Sequence, residues 1–398
     1  MRILHTADWH LGRMLEGRGR LEEQASFLDE LVELVRAQRI DMVMIAGDIY
    51  DSVNPPAMAE QLFYDAVSRL SEGGTRPVLV IAGNHDNPDR LAAAGPLANE
   101  RGITLVGLPM DGVLSVPVRR TGETANVFAL PYPSESRLRE LLTASTDEEV
   151  LRRAYTERVA HLVDRQSGYF GKDTVNLLMS HLYVLGGAET ESERPIQVGG
   201  AYTVDTKALL AEGLQYVALG HLHRPQTLKA DVPVRYSGSP LAYSFSEAGQ
   251  AKSVTVVELA PGQPALVEEV FLTSGRPLVR WRAQGGIGQV YQWLDEGRDA
   301  SAWIDLELHM TEALSMEQIQ VLRKQHGGIV NIRVIYPEME QNAGAAAREQ
   351  LPIDEMFRRF YMKQTGGAEP DEEMIRLFLE LLDPDAAGGD PQEERGHA

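Results

Sequence analysis

Five short clusters of metal-binding residue types follow one another along this chain of 398 residues. Carboxylate, amide and imidazole donors in combination suit two ions such as Mn²⁺, Fe or Zn²⁺ that share a bridging ligand. Two such ions, about 3.5–4 Å apart, are a common arrangement for in-line attack on a phosphate ester. The sequence therefore predicts a two-metal phosphoesterase. The clusters are Asp8-Trp9-His10, Gly47-Asp48-Ile49-Tyr50-Asp51, Gly83-Asn84-His85-Asp86, Ser180-His181 and Gly220-His221-Leu222-His223.

Each cluster comes directly after a short apolar run. Continuous apolar runs of this length, rich in β-branched residues, predict strands that are buried on both faces. Open α/β sheets place their sites just beyond the carboxyl ends of such strands. We therefore expect the five clusters to meet at one edge of the fold. The runs are Arg2–Thr6, Met42–Ala46, Val78–Ala82, Leu177–Met179 and Tyr216–Leu219.

No single cluster is decisive, because Asp-x-His is a short pattern and Asp after Gly is an ordinary turn signal. The combination is far more specific, since all five clusters follow strand-like runs. The histidines add to this, because half of the ten in the chain fall inside the clusters. These are His10, His85, His181, His221 and His223.

The set of clusters resembles the calcineurin-like metallophosphoesterases. Within them, the opening run from Ile3 to Gly12, with Asp8-Trp9-His10, resembles the SbcD family of bacterial nuclease subunits. The resemblance extends over nearly the whole chain and implies a four-layer α/β/β/α sandwich, whereas the pattern alone predicts only an α/β fold. One position departs from the archaeal and eukaryotic relatives, which have His three residues after the bridging Asp. This chain has Asp51 there, so the function of that His is not carried over.

The resemblance implies two groups of metal ligands, with Asp48 in both and Mn²⁺ as the expected ion. His85 would then protonate or stabilise the leaving oxygen. Asp86 would orient His85, although a loop cap is an equally open interpretation. The implied reaction is hydrolysis of DNA by 3′–5′ double-strand exonuclease and single-strand or hairpin endonuclease action, in DNA repair. One group is Asp8, His10, Asp48 and His223, and the other is Asp48, Asn84, His181 and His221.

Composition limits the remaining possibilities. The absence of cysteine excludes disulfides and thiolate ligands. No apolar run approaches the length of a membrane span, and Arg2 begins a buried strand instead of a signal peptide, so we expect a soluble, cytoplasmic protein. The net charge of −20 includes −7 from residues 351–398 (12 acidic, 5 basic), which leaves −13 for the rest. Such acidity disfavours contact with a phosphate backbone, so we expect a partner subunit to supply much of the DNA affinity.

The chain is expected to divide into several parts. We predict a nuclease domain over 1–275, a small α/β capping domain over 276–337, a linker over 338–350, a helical pair over 351–383 and a disordered tail over 384–398. An ordinary extension without substrate contact remains an alternative for the capping domain.

The helical pair carries an apolar stripe that two short helices cannot bury alone. Packing on the catalytic domain is one interpretation. The resemblance favours another, a clamp on the coiled-coil base of an SbcC ATPase subunit, within a heterotetramer that contains a homodimer of this chain. The predicted partner-binding residues are Phe357, Phe360, Phe378 and Leu382.

Two other functions remain open at this point. The metal clusters also fit a cyclic-nucleotide phosphodiesterase or a protein phosphatase, although neither requires the helical pair. A non-catalytic scaffold that only tethers the ATPase is the second alternative, and the intact ligand set with His85 argues against it.

Overall fold

A computed structural model describes residues 1–138, 148–193 and 202–336, and parts of 357–378. The described part contains nineteen strands and eight α-helices. The strands are β1 (Arg2–Thr6), β2 (Met14–Leu15), β3 (Arg18–Gly19), β4 (Met42–Ala46), β5 (Val78–Ile81), β6 (Ile103–Val106), β7 (Leu114–Val118), β8 (Glu123–Leu130), β9 (Val175–His181), β10 (Tyr183–Val184), β11 (Thr203–Val204), β12 (Tyr216–Gly220), β13 (Gln226–Leu228), β14 (Val234–Tyr236), β15 (Ser253–Glu258), β16 (Leu266–Phe271), β17 (Leu278–Ala283), β18 (Trp303–His309) and β19 (Ile329–Ile335). The helices are α1 (Leu21–Ala37), α2 (Ala57–Ser71), α3 (Pro88–Ala92), α4 (Gly95–Asn99), α5 (Glu135–Leu138), α6 (Glu148–Asp164), α7 (Gly286–Asp295) and α8 (Met316–Gln325).

Two six-stranded sheets position the clusters. The first has the strand order β16-β15-β1-β4-β5-β6, and the second has the order β13-β14-β12-β9-β8-β7. Strands β1, β4, β5 and β6 of the first sheet run parallel, as do β8, β9, β12 and β14 of the second, so their carboxyl ends point the same way within each sheet. The first three clusters therefore lie at the carboxyl ends of strands in the first sheet, and the last two lie at those of strands in the second.

The two sheets pack face to face. Strand β4 shows why its apolar run is continuous, because its alternate side chains enter different cores. Met42 and Met44 belong to the core between the sheets, whereas Val43 and Ile45 face the core that includes side chains of α1 and α2. Side chains of α6 pack in a third core on the outer face of the second sheet. This arrangement is the predicted α/β/β/α sandwich.

Helix α1 illustrates how closely the periodic pattern fixes an element. Phe27, Leu31 and Val35 lie at helical spacing and are fully buried, as the sequence predicts. The spacing of apolar residues predicts a helix from Arg20 to Arg39, and the helix in the structure is shorter at both ends, from Leu21 to Ala37.

The predicted capping region has a sheet of its own, with strand order β17-β18-β19, together with helices α7 and α8. An apolar cluster joins this region to the phosphoesterase sandwich through Leu278, Trp303 and Val330 on one side and Leu15 and Phe245 on the other.

The predicted helical pair falls in a second compact unit, formed by His309–Ala313 and Val334–Ala398. Within it, residues 357–358, 361–362 and 374–376 are helical, and the rings of Phe357 and Phe378 stack with centroids 4.1 Å apart. Phe360 and Leu382 lie outside the described residues, as do the predicted linker and tail. In the described ranges, none of the helices combines the length and apolarity that a membrane crossing requires.

Candidate metal centre

Backbone hydrogen bonds hold the first two clusters side by side. The backbone N–H of Asp8 donates to Gly47 O at 3.0 Å, and that of His10 donates to Asp48 O at 3.0 Å. Asp8, His10 and Asp48 all have positive φ, at 55°, 44° and 50°. Such backbone strain in non-glycine residues concentrates at functional sites, where surrounding contacts maintain it.

Two glycines are required for the clusters to approach one another. A Cβ on Gly47 would lie 2.4 Å from His181 Nδ1, and a Cβ on Gly83 would lie 2.1 Å from Asp48 Oδ1. Both distances are far below van der Waals contact. Only glycine allows the second cluster to pack against the third and fourth.

Asp8, His10 and His223 form one candidate ligand group. Their ligand atoms lie within 4.8 Å of one another, and the Nε2 atoms of His10 and His223 are 3.0 Å apart. All three side chains are buried. In the part of the chain that the structure describes, Asp8 Oδ2 has no hydrogen-bond partner, which is costly for a buried carboxylate oxygen. A cation between these donors would satisfy that oxygen.

Asp48 lies at the centre of the combined site. Its Oδ2 atom is 3.4 Å from His181 Nε2, 3.7 Å from His10 Nε2 and 4.0 Å from His85 Nε2. Asn84 Oδ1 approaches the same nitrogen of His181, at 2.9 Å. The structure thus brings Asp48 against side chains of both predicted ligand groups, which is the position that a bridging ligand requires.

His221 also enters the site. Its backbone N–H donates to Asp8 Oδ1 at 2.9 Å, and its ring centroid lies 5.5 Å from that of His181. Burial lowers the pKa of His221 and of His10 well below the ordinary value, which keeps both rings in the neutral form that binds metals.

The two buried carboxylates of the site, Asp8 and Asp48, shift the pKa values of neighbouring groups. Burial alone would lower the pKa of His181, but the Asp48 carboxylate and, more weakly, Asp8 raise it to about 9. Burial raises the pKa of Asp8 well above its usual range, and Asp48 adds to that effect. Divalent cations would neutralise these carboxylates. The residues present therefore fit a pair of hard or borderline metal ions with oxygen and nitrogen ligands.

His85 is oriented towards the same centre. Its Nδ1 atom donates to the carbonyl oxygen of Asp51 at 2.7 Å, and its backbone N–H donates to Asp48 Oδ1 at 2.9 Å. The Nε2 atom lies 4.0 Å from Asp48 Oδ2.

Asp86 does not orient His85, contrary to that prediction. Its carboxylate accepts hydrogen bonds from the backbone N–H groups of Ile49, Tyr50 and Gly83, at 2.8–3.2 Å. Burial, with a smaller contribution from Asp48, raises the pKa of Asp86 to about 6 in spite of these donors. Asp86 joins the second cluster to the third, which is the loop-cap interpretation.

The comparisons with known proteins agree with this geometry. A family model described as calcineurin-like phosphoesterase matches residues 1–225, and one described as Type 5 capsule protein repressor C-terminal domain matches residues 274–365. The chain is 55% identical over 382 residues to the SbcD subunit of the SbcCD nuclease of Bacillus subtilis strain 168, which covers 96% of this chain and 97% of that protein. The chain belongs to the SbcD family of calcineurin-like phosphoesterases. The resemblance inferred from the sequence is therefore confirmed.

Similar solved structures include the Plasmodium inner-membrane-complex anchor GAP50, at 13% identity and a TM-score of 0.40 over 69% of this chain and 84% of that one. A dimetal phosphatase from Danio rerio is 13% identical, with a TM-score of 0.39 over 68% of this chain and 99% of that one.

Several residues that support the centre have no signal in the sequence of this SbcD-family chain. Tyr243 donates its hydroxyl to Trp9 O, and its ring lies 5.4 Å from that of His10 and 5.9 Å from that of His223. Arg137 donates to Gly83 O and Asp86 O at 2.8 and 2.7 Å. Both residues are distant in the sequence from the clusters that they contact, so only the fold reveals them.

Proposed function

We propose that this chain is the nuclease subunit of a complex with an SbcC-type ATPase, and that it hydrolyses phosphodiester bonds in DNA with two divalent metal ions. The observation that carries the proposal is the position of Asp48 Oδ2 among His10, His85 and His181, at the junction of two ligand groups. The supporting comparison is the high identity to a protein named as a nuclease subunit over nearly the full length of both chains. The expected activities are 3′–5′ double-strand exonuclease and single-strand or hairpin endonuclease action during DNA repair.

The chain supplies the ligands for this reaction at two adjacent positions. Two divalent ions bound there, which we propose to be Mn²⁺, would activate water as the nucleophile and neutralise charge on the phosphoryl oxygens. Their ligands would be Asp8, His10, Asp48 and His223 for one ion, and Asp48, Asn84, His181 and His221 for the other.

His85 acts on the leaving group in this proposal. The bond from Nδ1 to Asp51 O fixes the ring, so that Nε2 is the atom directed at the centre. A protonated Nε2 can donate to the oxygen that departs from phosphorus, which offsets the negative charge that develops on it.

The helical pair would bind the partner ATPase, and the chain would form a homodimer within a heterotetramer. Phe357 and Phe378 support this proposal, because their stacked rings join the two segments into one apolar unit. Phe360 and Leu382 are proposed to bind the partner as well.

A substrate comparison tests the proposal directly. The purified chain with Mn²⁺ is expected to cut hairpin DNA, and to leave a cyclic nucleotide and a phosphorylated peptide unchanged. The Asp48→Asn variant is the inactive control that excludes a contaminating nuclease. Turnover of the cyclic nucleotide or the peptide without cleavage of DNA would favour one of the other phosphoesterase functions.

A further inference from the structure

A series of hydroxyl groups connects the ring of His223 to a carboxylate. Ser192 Oγ lies 2.6 Å from His223 Nδ1, and Thr190 Oγ1 lies 2.6 Å from Ser192 Oγ. Thr190 Oγ1 in turn lies 2.7 Å from Glu193 Oε2. The other oxygen of Glu193 accepts from the backbone N–H of His223 at 2.8 Å, so the four residues form a closed cycle of hydrogen bonds.

The donor and acceptor of every side-chain hydrogen bond in this cycle follow from the Glu193 carboxylate. An ionised carboxylate only accepts hydrogen bonds, so the single hydroxyl proton of Thr190 points to Glu193. Thr190 Oγ1 must then accept the hydroxyl proton of Ser192. Ser192 Oγ, with its own proton used, must accept from Nδ1–H of His223. The cycle of hydrogen bonds therefore leaves Nε2 of His223 without a proton.

We propose that Thr190, Ser192 and Glu193 are positioning residues that hold His223 in the tautomer that binds a metal. The inference rests on the proposed function, because Nε2 of His223 is the atom that faces His10 Nε2 in the first ligand group. Histidines that bind metals commonly donate their other ring N–H to a carboxylate or carbonyl, which fixes the tautomer and the ring orientation. In this chain the hydroxyls of Ser192 and Thr190 lie between the His223 imidazole and the Glu193 carboxylate. We call this series of hydrogen bonds the hydroxyl relay.

The residues around His223 favour the hydroxyl relay over a direct hydrogen bond from Nδ1 to a carboxylate. Ser192 is only 2% exposed, and Arg13 holds its carbonyl oxygen with a hydrogen bond of 2.7 Å. Glu247 Oε1 also lies near His223 Nδ1, but at 3.8 Å, and it already accepts from the backbone N–H groups of Tyr243 and Ser244. Ser192 is therefore the hydrogen-bond partner of this ring nitrogen.

The tautomer can be measured without any metal or substrate. We expect ¹⁵N spectra of the metal-free, histidine-labelled protein at pH 8 to show the proton of His223 on Nδ1. The signal is assigned by its loss in His223→Asn. A proton on Nε2 in the wild-type protein would overturn the proposal, whatever any variant does.

Two substitutions at Thr190 then test the relay itself. Thr190→Val keeps the shape and the backbone N–H but removes the link, so the Ser192 hydroxyl becomes free to donate to Nδ1. We expect the Nε2–H tautomer to appear, and the Mn²⁺ affinity of one site to fall about 10–100-fold in a calorimetric titration. Thr190→Ser restores the hydroxyl and is expected to match the wild type in both measurements. An unchanged tautomer and affinity in Thr190→Val would refute the relay.

These measurements separate the relay from the nuclease proposal. If the wild-type protein cuts no DNA but Thr190→Val shifts the tautomer, the relay stands and the proposed function fails. If the wild type cuts DNA and Thr190→Val changes neither the tautomer nor the affinity, the function stands and the relay fails.

Discussion

Asp48 is the residue on which the proposed metal centre should depend most, because its two oxygens contact different partners. Oδ1 accepts the backbone N–H of His85, while Oδ2 faces the imidazoles of both ligand groups. Asp48→Asn keeps the acceptor for His85 but removes the charge. We expect hydrolysis of all DNA substrates to be lost and the number of bound Mn²⁺ ions, counted by mass spectrometry, to fall below two. Asp65→Asn, an exposed change on α2, is the control. Near-normal activity in Asp48→Asn would rule out a shared bridging ligand.

His85 lies beside the ligands, and we predict that it contributes to chemistry without binding metal. His85→Ala removes the proposed proton donor, which typically reduces the rate about 10²–10⁴-fold. The same variant is expected to bind two Mn²⁺ ions, as measured by calorimetry. Loss of an ion together with the rate would show that His85 is a ligand instead. His161→Ala, at an exposed position on α6, controls for the loss of any histidine.

At the scale of elements, the sequence predicts the strands and helices better than the contacts among loops. The apolar pattern predicts a strand over Ile329–Ile335, and β19 has these bounds in the structure. The apolar pattern also predicts a strand over Leu278–Trp281, but β17 continues two residues further, since Arg282 and Ala283 still pair with β18. The spacing of hydrophobic residues predicts from local sequence whether a segment is a helix or a strand. The residue at which the element ends depends on a neighbouring strand or helix that can lie anywhere in the chain.

The same distinction explains what could be predicted of the metal centre. The proposed ligand residues are recognisable because each follows a buried strand and has a donor side chain. Asp86 was ambiguous, because an Asp after His can orient the ring or bind backbone, and only the positions of Ile49 and Tyr50 decide. The sequence does not predict the proposed role of Thr190 and Ser192, since it depends on a contact with His223 about thirty residues later along the chain.

The helical pair provides a prediction at the same scale. The rings of Phe357 and Phe378 stack, and such a pair contributes about 0.5–1.5 kcal/mol beyond the burial of its area. Phe357→Glu with Phe378→Glu places two like charges there, so we expect co-elution with the SbcC-type partner to be lost. Manganese-dependent cleavage of short single strands should survive, because none of the proposed metal ligands belongs to residues 351–383. Phe357→Leu with Phe378→Leu is the apolar control. Co-elution of the double Glu variant would exclude the clamp.

For the molecule as a whole, a buried histidine outside the metal centre should make stability depend on pH. Burial, with a smaller effect of Arg235, lowers the pKa of His5 to about 3, and its ring bonds Tyr216 Oη and Leu219 O. The unfolded chain binds this proton near pH 6.5, so stability is complete above that pH and falls as the pH drops towards 3.

The contribution of His5 can be isolated by comparing how steeply the free energy of unfolding changes with pH in the wild type and in a variant. Between pH 6.5 and 4.5 the free energy of unfolding should fall by about 2–3 kcal/mol more in the wild type than in His5→Gln. Denaturant unfolding at several pH values in the presence of a chelator measures the difference. His161→Gln, which removes an exposed histidine, should follow the wild-type slope. Equal slopes for the wild type and His5→Gln would mean that His5 is protonated in the folded state.

The net charge of −20 leads to the last prediction, which concerns the whole assembly. Each phosphate contact releases counterions, so affinity falls with salt in proportion to the number of contacts. We expect the chain alone to bind a DNA duplex weakly, with a shallow dependence of log K on log salt. The complex with the ATPase partner should bind more tightly and with a steeper slope, measured by fluorescence anisotropy. Removal of residues 384–398 changes the charge only from −20 to −17, since that segment has 4 acidic and 1 basic residues, so it should change the slope little. Equal affinity and slope for the chain alone and the complex would place the DNA-binding surface on this subunit.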